Sequence, residues 1–154
     1  MYLVMVVCLL FVFPIISIIT EMFLFKSSTG ILLLVGKWFV FWAVGIRLFT
    51  AGLRQAIQPR FTAENILGIK GSDQFIVVQE LGFANISMGA LGMITIFNGN
   101  WIMPAAIVGS LFYGFAGIRH MFSKERNVLE NTAMVSNIFI FAVLLIYLIR
   151  VVVH

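Results

Sequence analysis

Charge is what this sequence has least of. Only 10 Lys or Arg and 6 Asp or Glu occur among 154 residues, a charged fraction of 10%, where a soluble domain carries about 25%. So few charges cannot wet the surface of a globule this small, which excludes a soluble enzyme, a nucleic-acid reader and a disordered tail. Cysteine is reduced to Cys8, so an intrachain disulfide, an iron–sulfur cluster and a thiolate zinc site have no ligands. The histidines, His120 and His154, fall at opposite ends of the topology derived below, and one chain cannot offer the facing pair that a membrane haem needs. A retinal-type Schiff base needs a buried lysine, whereas Lys37 lies near an interface and the other lysines lie in loops. Neither a Walker loop nor a dinucleotide fingerprint is present. No cofactor is expected.

Apolar residues fill the remainder: 62% of the chain is hydrophobic and the mean hydropathy is +1.09. Such a chain is expected to have lipid as its solvent and partner. The net charge of +4 comes without a dense basic run and carries no sign of nucleic-acid binding. About 20 apolar residues cross the hydrocarbon core as a helix, and five stretches qualify: residues 2–24, 31–56, 74–97, 101–121 and 132–153. The expectation is an all-α fold, an integral membrane helical bundle of five transmembrane helices in a single transmembrane domain over residues 1–154. Four helices would remain if the first were cleaved as a signal peptide. That stretch has no basic n-region or small-x-small cleavage site, and its apolar run is too long, so it is read as retained.

Pro59 ends the second stretch, because it lacks the amide proton needed to continue a helix. Asn98-Gly99-Asn100 reads as a tight turn, with Gly99 at C′ and Asn100 as N-cap, and Pro104 sits in a first turn where a missing donor costs little. With five crossings, Arg54, Arg60, Lys70, Arg119, Lys124 and Arg126 share one side, while Lys26, Lys37 and Arg150 are on the other. The positive-inside rule makes the first side cytoplasmic, with the amino terminus in and the carboxyl terminus out. Trp38, Trp42 and Trp101 then form a belt at the outer interface. The segment from Arg60 to Leu67 is either a short helix on the inner surface or an ordinary loop. The Lys124-Glu125-Arg126 run reads as a headgroup contact.

Ionisable groups at membrane depth cost roughly 2.5–3.5 kcal/mol each unless paired or hydrated. Arg47 lies seven residues before Arg54, about 10 Å deeper at 1.5 Å per residue. Glu80 lies six residues past Gln74, about 9 Å below the same surface. The matching depths predict an Arg47–Glu80 pair. Tyr113 and Asn137 fall at the same level, with Arg54, His120 and Glu130 in a shallower one. Helical periodicity puts Arg47 and Arg54 on one face of the second helix, Ser110, Tyr113 and His120 on one face of the fourth, and Glu130 and Asn137 on one face of the fifth. On the third helix, Glu80, Ala84 and Ser87 line one face, and Gly82, Asn85, Gly89 and Gly92 the nearly opposite one. Small residues let transmembrane helices approach closely. The third helix is therefore expected at the centre, its glycine stripe on the Ala106/Ser110/Gly117 face of the fourth helix and its Glu80 face on Arg47. A metal arrangement from Glu80, His120 and Glu130 has suitable donors but nonlocal spacing.

The segments from Trp38 to Arg47, Glu80 to Asn85 and Tyr113 to His120 carry a resemblance to a family of uncharacterised small bacterial and archaeal polytopic membrane proteins, which implies a prokaryotic inner membrane. More distantly, the Glu80-Leu81-Gly82 segment and the compact apolar bundle are similar to DoxX-type proteins. Neither resemblance implies a catalytic residue. The leading expectation is an accessory or structural membrane protein, self-associating or a subunit of a membrane complex. The alternative is a binding or transport site for a small solute, proton, metal or lipid or quinone headgroup, built on Arg47, Arg54, Glu80, Asn85, Tyr113, His120, Glu130 and Asn137. Lipid enzymology with Glu80 or His120 as general base comes third.

Overall fold

The computed structural model describes residues 2–26, 29–67, 74–123 and 127–153. Lys70, the Lys124-Glu125-Arg126 run and His154 lie outside the described residues. Among the described residues, five helices are long and apolar enough to cross a membrane: α1 (Leu3–Phe23), α2 (Ile31–Ile57), α3 (Gln74–Ile94), α4 (Ile102–Met121) and α5 (Val128–Val153). No strand occurs among the described residues, as an all-α bundle requires.

Local chemistry explains the departures from the expected boundaries. In α1 the stretch Cys8–Val12 is π-helical and ends two residues before Pro14. A proline cannot donate to the preceding turn and crowds the carbonyl four residues back, and the wider turn lets the helix run on. Between α3 and α4 the cap is Asn98 rather than Asn100: the Asn98 side chain accepts from the Asn100 amide at 3.0 Å, and a 3₁₀ turn at Gly99–Trp101 leads into α4. The last helix begins earlier than its apolar run, because Asn127 Oδ1 accepts from the Glu130 amide at 2.8 Å and caps the first turn.

The hub of the bundle is α2, not α3. It touches all four other helices, and 50% of its most apolar stretch is buried, against 28% for α3. The glycine stripe of α3 is also seated on α2 rather than on α4. A Cβ added at Gly82 would stand 2.8 Å from the Ala56 amide, one at Gly52 would stand 2.6 Å from the Gly82 carbonyl oxygen, and Gly92 lies against the backbone of Gly45. Consecutive antiparallel helices thus meet through glycines on both partners, which allows closer backbone approach than glycine against larger side chains. The small face of α4 instead packs on α5, with Gly114 beneath Phe141 and Gly117 beneath Ile138.

The two ends of the bundle differ. At the tryptophan end, Lys37 Nζ donates to both Glu21 carboxylate oxygens at 2.8 Å. Trp38 Nε1 donates to Glu21 at 2.8 Å, and Trp42 Nε1 to Ser17 Oγ at 3.0 Å. This polar knot ties α1 to α2. Glu21 is not among the candidate residues read from the sequence. At the other, basic end, Arg54, Arg60, Arg119 and His120 gather around the Phe61–Ile66 segment, a single π-helical turn held by an Arg60–Glu64 ion pair of 2.9 Å. Its Thr62 and Ala63 are buried, so the turn plugs into the bundle instead of lying flat on a surface.

Candidate functional site

The depth argument brings Arg47 to the interior, where it is 7% exposed, but its partner is not Glu80. Arg47 Nη2 donates to Ser136 Oγ at 2.8 Å and to Asn137 Oδ1 at 3.3 Å, and the guanidinium lies 5.2 Å from the centre of the Tyr113 ring. Glu80 is exposed on α3, and among the described residues no ion pair joins it to Arg47. The reason is the seating of α3. Its glycine face turns toward α2, so the opposite face, which carries Glu80, turns away from the bundle. The expected Arg–Glu lock is therefore not formed. The proposed metal set fails for the same reason: no group of three or more His, Cys, Asp or Glu converges among the described residues.

The remaining predicted residues do converge. Arg47, Arg54, Asn85, Tyr113, His120 and Asn137 all line one cavity of about 290 Å³ at the basic end. Tyr113, 1% exposed, is held by donating its hydroxyl to the Ala43 carbonyl, within the π-helical stretch Val40–Arg47 of α2. The Arg54 guanidinium lies over the Phe61 ring, 3.5 Å from its centre, a cation–π contact between α2 and the plugging turn. His120 Nδ1 stands 3.2 Å from Glu130 Oε1 and bridges α4 to α5. Glu130 thus backs the cavity without lining it.

Two contributors were absent from the sequence reading. Gln55 Oε1 accepts from Asn85 Nδ2 at 2.7 Å, joining α2 to α3, and Ser136 supplies the shortest contact to Arg47. Each is the chain neighbour of a residue that was singled out, Arg54 and Asn137. The signal for Gln55 was its place one turn beyond Ala51 and on the side of α2 that Gly52 turns toward α3.

The electrostatics of the cavity are one-sided. Three arginines (Arg47, Arg54 and Arg119) and His120 line it, and no carboxylate does among the described residues. Arg47 has only neutral acceptors, and its Nη1 is buried without a partner. A buried guanidinium with neither a counterion nor a full set of acceptors is costly. The other orphan among buried described side chains is Asn85 Oδ1, which belongs to the same cavity.

Fold and site together define a class: a five-helix bundle with spans long and apolar enough to cross a membrane, holding a cationic cavity at one end. The chain belongs to the family of unknown function DUF6790, whose model matches residues 3–154 and so takes in all five helices. No curated protein and no solved structure matches it.

Proposed function

We propose that this is a multi-pass membrane protein whose basic end faces the cytoplasm and whose interior binds a small anion there. The observation that carries the reading is Arg47: a buried, permanently charged group among the cavity's lining residues, with its Nη1 unpartnered and no carboxylate lining the space among the described residues. An anion entering the cavity supplies the missing countercharge and acceptor, and in a low-dielectric surround such a charge-assisted contact is stronger than it is in water. Arg54 and Arg119 nearer the mouth add an attractive field for the same sign of charge. The volume, equal to about ten waters at roughly 30 Å³ each, suits a small solute or the headgroup of a lipid.

The test is thermal unfolding of the purified protein in detergent while chloride, nitrate, acetate and phosphate are titrated at constant ionic strength. At least one of these anions is expected to stabilise the protein, by about 2.7 kcal/mol when it is at a hundred times its dissociation constant. The Arg47→Gln variant is expected to lose that dependence while remaining folded. Unfolding that neither these anions nor an anionic lipid in nanodiscs shifts would refute the reading.

A further inference from the structure

Arg47 asks for an acceptor, but Asn85, another residue lining the same cavity, carries a buried atom that asks for a donor. Asn85, on α3, is 2% exposed. Its Nδ2 is committed to Gln55 Oε1, and its Oδ1 is buried without a partner. Asn137 Oδ1, the other amide oxygen near Arg47, is already occupied by the guanidinium. A halide, a nitrate or a simple carboxylate offers lone pairs only. Placed beside Arg47, it would leave Asn85 Oδ1 unsatisfied or facing negative charge, and a buried acceptor left unmade is penalised in full.

Resting on the anion-binding reading above, we infer that the ligand is an oxyanion that carries its own hydroxyl, with its charge directed to Arg47 Nη1 and its O–H donated to Asn85 Oδ1. Hydrogencarbonate and the protonated forms of phosphate have this chemistry as free solutes, and a phosphomonoester lipid headgroup has it at the membrane. The two orphan atoms come from different helices, α2 and α3, so a ligand that satisfies both joins the pair of helices whose glycines already hold them close.

The experiment compares ions of like shape that differ in the proton. Phosphate is set against sulfate, and hydrogencarbonate against nitrate, on the wild-type protein in detergent at near-neutral pH, with binding read by thermal shift and calorimetry. The expected result is at least about tenfold tighter binding of the protonated member of each pair, the scale of one unmade buried hydrogen bond. In Asn85→Leu the preference is expected to collapse while binding to Arg47 persists, and the wild-type comparison stands even if that variant does not fold. Stabilisation by phosphate in lipid-free detergent supports a free solute as the source. Stabilisation only in nanodiscs containing phosphatidic acid supports a headgroup. Equal affinity within both pairs overturns this inference and leaves the anion reading in place, whereas no binding of any of these ions together with no stabilisation by phosphatidic acid in nanodiscs overturns both.

Discussion

Arg47 shows how a single residue's environment decides between lock and receptor. A charge lock needs its opposite charge, and here the guanidinium is met instead by Ser136 Oγ, Asn137 Oδ1 and the face of Tyr113. These neutral contacts orient the group but do not discharge it. Their contribution is measurable. Ser136→Ala removes a hydrogen bond to a buried charge and is expected to cost about 1.5–3 kcal/mol of stability, read as a lowered unfolding temperature in detergent. The deficit should shrink when a bound anion takes over part of the guanidinium's coordination. A Ser136→Ala protein as stable as wild type would mean that water already serves Arg47. Glu80 is the counterexample on the residue scale: its depth was legible from spacing along the helix, but its direction depended on which neighbour the opposite face of α3 chose.

At the scale of helices, that choice belongs to glycine. Gly45 meets Gly92, Gly52 meets Gly82, and Gly89 lies against Phe49, all so closely that an added methyl group would run into backbone, which cannot rotate aside. Gly92→Ala is therefore expected to destabilise by about 1–3 kcal/mol, as overpacking does. Gly99→Ala, where an added Cβ meets only Ile102 Cδ1 at 3.8 Å, should stay within about 0.5 kcal/mol. Equal effects at the two positions in a chemical-unfolding series would contradict the close crossing. The five apolar spans, the level shared by Arg47, Tyr113 and Asn137, and the convergence of six candidate residues were all legible, because hydropathy and helical rise act along one helix at a time. Partner choice was not. The α3 stripe was matched to small residues on α4, while Gly45 and Gly52 on α2, which meet Gly92 and Gly82, were the better complement. The π-helical stretch Val40–Arg47 added to the difficulty, since a wider turn shifts the angular register that a 100° step assumes.

For the molecule as a whole, the contrast between ends gives the proposed orientation a direct test. Cys8 is the single cysteine, so a Cys8→Ser background accepts reporter cysteines cleanly. Asn98 and Asn65 are both exposed, at opposite ends of the bundle. In intact cells, Asn98→Cys is expected to react with a membrane-impermeant maleimide, and Asn65→Cys only after permeabilisation, in keeping with the positive-inside rule. The reverse pattern would turn the molecule over and place the anion cavity on the outer face.

Beyond Tyr113 the interior closes. Ala43, Val44, Val40, Ala106 and Leu144 have no exposed surface, Gly45 and Gly92 touch backbone to backbone, and the Tyr113 hydroxyl is bound to the Ala43 carbonyl. The vessel is thus stoppered above its arginine. An anion entering beside Arg54, as proposed, would meet this packed layer, so in this conformation the bundle offers a cup at its basic end.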